Sequence, residues 1–211
     1  MNRKQQNKFL RKFNLGFNTR DIAVVELSKS HLEKKDFLIN SLKAEAMVQD
    51  VAFAMTVIGT SDVYRSEGAG YKDGSFSFSS VSVSWNFLQV MDIPLLEGRY
   101  PTENEENGKA GILLFNQTTS LNEGIHAGES VSYGRGSDVA AVFGDINLFS
   151  LRKSKNNLAF VVGDPYSDGL PVAYIKLVPG TDRKQATAFI NGVLRQVDNA
   201  YPFEISYYDN M

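Results

Sequence analysis

Val172-Ala173-Tyr174-Ile175-Lys176-Leu177-Val178 reads as a β-strand, dense in apolar and branched groups and stopped by Pro179-Gly180. Thr181 and Asp182 then offer N-caps for a helix whose apolar stripe is Ala186, Phe189, Ile190, Val193, Leu194 and Val197. After Tyr201-Pro202, the run Phe203 to Tyr208 predicts a closing strand. Working outward, the same β-α-β order recurs near the start. Ile22-Ala23-Val24-Val25-Glu26-Leu27 is the first strand, and Ser30-His31-Leu32-Glu33 has the pattern of a capping box with Ser30 as N-cap. Leu32, Leu38, Leu42 and Ala46 space a helix to about Val48, and Ala52 to Ile58 reads as the second strand. Two such units predict one sheet with both helices on one face.

The stretch between them differs in texture. Residues 61–170 are rich in Ser, Gly and short strands. Ser75-Phe76-Ser77-Phe78 alternates in one phase and Val81-Ser82-Val83-Ser84-Trp85 in the other, which predicts a bulge at Ser79-Ser80. Phe87, Leu88 and Met91 read as a buried helical turn, Ile112–Phe115 and Val139–Phe143 as strands, and Asn116 as an N-cap. The fold class is therefore α+β, with an antiparallel or mixed sheet and a smaller β-rich module inserted into it. The expected boundaries are 1–16 for an N-terminal helix, 17–60 with 171–211 for the outer unit, and 61–170 for the insert. A core built on Phe76, Phe78, Val81, Val83, Trp85, Phe87 and Leu88 is expected inside the insert.

The totals narrow the function. With 211 residues, 43% of them hydrophobic and 22% charged, the chain buries a real core. A net charge of −2 leaves no global footprint for nucleic acid. The absence of cysteine removes disulfides, thiolate metal sites and cysteine nucleophiles. No window approaches the ~18 apolar residues of a membrane helix. The basic residues Arg3, Lys4, Lys8, Arg11 and Lys12 precede no apolar signal region.

Chemistry-bearing motifs are missing. His31 and His126 are the only histidines, far apart and in no metal or catalytic spacing. His31 is expected to be exposed at a helix start, and His126 to lie in a loop. Gly68-Ala69-Gly70 with Gly74 lacks the Gly-Lys-Ser/Thr ending of a phosphate loop and reads as a hairpin tip. Asp164-Pro165-Tyr166-Ser167-Asp168-Gly169 lacks the alternating ligands of a calcium loop and reads as a turn. No Gly-x-Ser-x-Gly elbow occurs. No catalytic, cofactor-binding or metal residue is assigned.

Five stretches in order resemble the periplasmic core domain of MacB/FtsX-type ABC transporter permeases, in the variant found in Bacteroides-like bacteria. They are Leu15-Gly16-Phe17-Asn18-Thr19 before the first strand; Phe87 to Arg99 with its Gly98-Arg99 turn; Leu113-Leu114-Phe115-Asn116-Gln117-Thr118-Thr119; Val139 to Arg152; and Tyr201 to Asp209. Departures are Gln117 for the usual glutamate, Ala141 for glycine, and Ile146 and Leu148 for aromatics.

The resemblance implies a domain between transmembrane helices 1 and 2 of an inner-membrane protein, on the periplasmic side, entered through a stalk helix over 2–14. The outer unit would be porter-like and the insert the distal subdomain. Implied partners are a cytoplasmic ABC ATPase subunit and an envelope protein or exported substrate, with a dimeric full-length protein, a monomeric isolated domain and no nucleic acid. The implied role is mechanical and not enzymatic. Residues near Phe17 and Asp209 would then leave one face, and strands 22–27 and 203–208 would run antiparallel in one sheet. Two other classes stay open: a stand-alone module binding a lipid, peptide or glycan in an apolar pocket, and a hydrolase with two carboxylates meeting in a cleft.

Overall fold

The structure is a computed structural model that describes residues 19–59, 64–108, 111–146, 156–164, 166–167 and 169–210. The predicted stalk helix over 2–14, with Phe17, lies outside the described residues. The chain divides into two compact units, one holding Thr19–Phe53 and Pro171–Met211, the other Ala54–Leu170. The inserted unit, anticipated as the smaller, is the larger of the two. It packs apolar residues against both faces of its sheet, and two cores need more chain than one.

The first unit contains β1 (Ile22–Glu26), α1 (Lys29–Glu33), α2 (Lys35–Lys43), β2 (Val48–Ala54), and, after the insert, β10 (Val172–Leu177), α6 (Arg183–Val197) and β11 (Ile205–Tyr207). Its sheet runs β11-β1-β10-β2. β1 is antiparallel to β10 through Ile22↔Lys176 to Glu26↔Val172, and antiparallel to β11 through Ala23↔Tyr207 to Val25↔Ile205. The antiparallel pairing anticipated for the first and last strands is present. Ile22 to Val25 and Val172 to Ile175 are all buried, as central strands require. Both α1 and α2 pack against α6, so the helices share a face. Asp182 caps α6 by accepting from the N–H groups of Lys184 and Gln185 at 2.8 and 2.9 Å. Ala186, Ile190, Val193 and Leu194 are buried along its stripe.

Two boundaries differ from expectation. The first helical segment starts at Lys29 with Ser28 as N-cap, so Ser30 lies inside the helix and forms no capping box. The second ends at Lys43, and β2 begins at Val48, four residues before the expected Ala52. Tertiary pairing overrides the polar Gln49-Asp50 here: the Val178 N–H bonds the Met47 carbonyl at 2.9 Å, which sets the end of β10 beside the start of β2.

The inserted unit contains β3 (Arg65–Tyr71), β4 (Gly74–Ser82), α3 (Phe87–Val90), β5 (Leu95–Gly98), α4 (Glu103–Gly108), β6 (Ile112–Asn116), α5 (Gln117–Glu123), β7 (Ser130–Val131), β8 (Ser137–Phe143) and β9 (Leu158–Val162). Its strand order is β3-β4-β9-β6-β8-β5, with β7 beside β8. No bulge interrupts β4 at Ser79-Ser80, because the register to β3 runs unbroken from Tyr71↔Gly74 to Arg65↔Ser80. The change of phase has another cause. Phe76 and Phe78 face a cluster with Phe115, Tyr133, Val139 and Val161, while Val81 opposes Phe160 on the other face. There Phe160 meets Phe87 at 5.5 Å and stacks on Phe143 at 4.9 Å. The same strand simply switches which face carries its apolar groups. Of the anticipated core, all but the half-buried Trp85 are buried.

Candidate functional site

Polar side chains gather at three places, and each tests a different chemistry. In the first unit, Ser28, His31 and Asp198 form a chain of contacts. Ser28 Oγ lies 2.6 Å from His31 Nδ1 and donates to Asp198 Oδ2 at 2.9 Å, and His31 Nε2 lies 3.0 Å from the Leu194 carbonyl, to which it donates. The Asp198 carboxyl is held below its usual range by the Ser28 hydroxyl first, and then by the N–H groups of Ala200 and Tyr201.

The residue types are those of an acyl-transfer triad, but the connections are not. A triad carboxylate orients the imidazole, whose other nitrogen faces the nucleophile. Here the carboxylate holds the serine, and the far nitrogen of the imidazole is spent on a helix-end carbonyl. His31 is 0% exposed and meets the rings of Phe203 at 5.1 Å and Tyr201 at 6.4 Å. The expectation of an exposed His31 is therefore overturned. The cluster clasps the β1–α1 corner to the C-terminal end of α6. The signal was available: positions 31, 38 and 42 fall on one helical stripe, and Leu38 and Leu42 are both fully buried.

In the inserted unit, the 164–169 turn is more than a turn. The Ser167 N–H bonds the Asp164 carbonyl at 3.2 Å, but the Asp164 side chain is buried and ion-paired with Arg65. Arg65 also donates to Ser82 Oγ at 2.9 Å and to the Tyr166 carbonyl at 3.2 Å, and Ser82 Oγ donates to Asp164. With the carboxylate neutralised by a guanidinium, this cluster is an internal tie, with no free oxygen for proton transfer. Sequence reasoning missed it because Arg65 and Asp164 lie 99 positions apart.

The third gathering surrounds His126, which lies in a loop as expected and is exposed. Glu97 accepts from the Ala127 N–H at 3.1 Å and pairs with His126 Nδ1 at 3.1 Å. Glu129 accepts from Tyr71 at 2.7 Å and from the His126 N–H at 2.7 Å. Both carboxyls sit below their ordinary range, Glu97 chiefly through Ala127 and Glu129 chiefly through Tyr71. Gly68 and Gly70 lie on β3, not at the hairpin tip, which is Lys72-Asp73. Among the described residues, no three His, Asp or Glu side chains are grouped to hold a metal ion.

Two of the resembling stretches meet in space. Asn116 caps α5 by accepting from the Thr119 N–H at 3.1 Å. It also donates to Asp145 at 2.9 Å, and Asp145 accepts from the Thr118 N–H and hydroxyl at 2.9 and 2.8 Å. A third stretch has its own logic. Gly98 takes φ +82°, and its backbone lies so close to β8 that a Cβ would fall 2.2 Å from the Ala140 carbonyl oxygen. Arg99 next to it grips Glu105 with two hydrogen bonds of 2.6 and 3.0 Å.

No family model matches the chain, and no curated relative does. Solved structures do. The periplasmic region of MacB from Actinobacillus actinomycetemcomitans matches with a TM-score of 0.65 at 13% identity, over 95% of this chain and 94% of that one. The chain has the fold of the MacB periplasmic region. The extracellular domain of the noncanonic ABC-type transporter YknZ from Gram-positive bacteria matches with a TM-score of 0.56 at 14% identity, over 88% and 99% of the two chains. The MacB-like fold is shared at an identity too low to carry side-chain roles across. None of the described helices is long and apolar enough to cross a membrane.

Proposed function

We propose that this chain is the periplasmic domain of an inner-membrane ABC transporter permease, set between transmembrane helices 1 and 2. The observation that carries the reading is the two-way coverage of the MacB match: nearly the whole chain aligns with nearly the whole of a periplasmic region. A second observation agrees with it. The Ala23↔Tyr207 pair puts the entry to β1 and the exit from β11 one strand apart, about 5 Å, as a loop returning to the same membrane needs.

In this reading the domain does no covalent chemistry. It passes motion driven by a cytoplasmic ATPase to an exported substrate or an envelope protein, in a dimeric full-length protein. The unit of residues 19–53 and 171–211 takes the porter-like role, and the insert takes the distal role.

Location is tested in the full-length parent by a single cysteine at Leu121, which is 76% exposed. Any other cysteines of the parent are replaced first; this chain contributes none. A maleimide that crosses the outer but not the inner membrane is expected to label intact cells. Labelling only after lysis overturns the proposal. Transmission is tested by spin labels on two exposed residues of the porter-like unit in each protomer, measured in the full-length complex with and without ATP. Unchanged distances refute it.

A further inference from the structure

Among the described residues, three buried polar atoms of the inserted unit have no hydrogen-bond partner in the protein. They are Arg65 Nε, Ser80 Oγ and Tyr133 Oη. Arg65 and Ser80 are directly opposed across β3 and β4, so their side chains share a face. Phe78, two residues along β4, is on that face too, and its ring lies 5.9 Å from the ring of Tyr133. Tyr133 also meets Tyr166 at 6.1 Å, and the Tyr166 carbonyl is the one that Arg65 holds. The Tyr133 ring thus touches a neighbour of Ser80 and a partner of Arg65. The charges of Glu67 and Arg65 both reach its phenol.

Burial makes such atoms costly. Ser80 is 0% and Tyr133 3% exposed. A buried donor or acceptor left unmade forfeits its full hydration, and native proteins hold only a few such groups per hundred residues. Here it would happen three times in one place. The Glu67 carboxylate stands 3.5 Å from Arg65 Nε, too far for a good hydrogen bond. The Asp164 carboxylate is already taken by Arg65 and Ser82. Burial also pushes the Tyr133 phenol up to about 12, so it keeps its proton and remains a donor.

We propose that Arg65 Nε, Ser80 Oγ and Tyr133 Oη form a binding site for one internal water molecule. Buried waters make about three hydrogen bonds to otherwise unmet polar groups, and three is the number offered. The fixed Nε–H donates to the water oxygen, the phenol donates to it as well, and the serine oxygen accepts from it. Asp164 and Glu67 already outnumber the single charge of Arg65, so an anion would face two carboxylates, while a cation would face the Nε–H and phenol donors; a neutral guest that both donates and accepts fits. The water adds a link between the β3–β4 hairpin and the 131–133 segment, beside the Gly70–Ser132 bridge and the packing of Tyr133 on Phe78.

A crystal structure at about 1.5 Å is expected to show a density peak within hydrogen-bond range of all three atoms. Absence of the peak overturns the site. Thermal melts of Tyr133→Phe, Ser80→Ala and the double variant give an independent readout. Each single change is expected to lower Tm by roughly 2–4 °C, because it removes a made hydrogen bond. The double variant is expected to lose less than the sum, because both changes strip the same water. A Tm that rises or holds in Tyr133→Phe shows that the hydroxyl had no partner to lose, and it overturns the proposal, as do strictly additive losses.

Discussion

Replacing Gly98 by alanine tests why a Gly-Arg turn stands at the end of β5. Two costs add. The residue takes φ +82°, where a Cβ costs about 1 kcal/mol relative to glycine. The Cβ would also lie 2.2 Å from the Ala140 carbonyl oxygen and 2.6 Å from Ala127 Cβ. Non-bonded carbon contacts settle at about 3.5–4 Å, so the backbone of β5 must retreat by roughly 1 Å. That carbonyl accepts from the Arg99 N–H at 3.0 Å, and the retreat stretches this bond as well. Overpacking of about 1–3 kcal/mol and a weakened hydrogen bond of about 1 kcal/mol bring the total to about 3–5 kcal/mol.

Gly128→Ala is the matched control. It has φ +89° with no atom within 4 Å of its Cβ, so it carries only the conformational cost of about 1 kcal/mol. Both glycines and Trp85, the one tryptophan, lie in the same unit, so urea unfolding followed by tryptophan fluorescence reads both variants on one scale. Gly98→Ala is expected to lose at least about 2 kcal/mol more than Gly128→Ala. Equal losses would falsify the close-approach argument and leave only the backbone angle as the reason for glycine.

Three further outcomes are expected. Phe160→Ala strips the ring that stacks on Phe143 and meets Phe87, and should cost about 3–5 kcal/mol in the same urea assay. Glu105 is held at about 2 by Arg99, so its contribution is complete above its normal 4.5 and disappears as the pH falls from 4.5 towards 2. Linkage alone converts the shift to about 3 kcal/mol, and the solvent around a 58% exposed Arg99 cuts this to about 1 kcal/mol; Arg99→Ala should remove that much at pH 7 and almost nothing at pH 2, by urea titrations at each pH. His31→Ala should cost about 2–4 kcal/mol through the cavity left beside Phe203 and the loss of its contacts to the Leu194 carbonyl and Ser28, read as a fall in the Tm of the far-UV dichroism; a change within 1 °C sinks the clasp.

The α+β class and its β-α-β order were legible in the residues, because apolar period and capping are local. Val172–Leu177, Asp182 and the stripe 186–194 all stand where pattern placed them. So do Asn116 as a cap and the buried faces of Phe76, Phe78, Val81 and Val83. Gly98-Arg99 was legible as a motif, but its reason was not, since the Ala140 carbonyl comes from a strand 42 positions away.

What tertiary structure decided were the contacts that no period encodes. His31 left the surface because α1 packs against the end of α6, where Asp198 and the Leu194 carbonyl wait for it. β4 kept its register without a bulge because the sheet has a core on each face, and one strand serves both. Asp164 became a buried ion-pair partner once the strand order put β4 between β3 and β9, placing Arg65, Ser82 and the turn after β9 together. Local chemistry specifies local geometry, but a long-range hydrogen bond or ion pair exists only after the strands have chosen their neighbours.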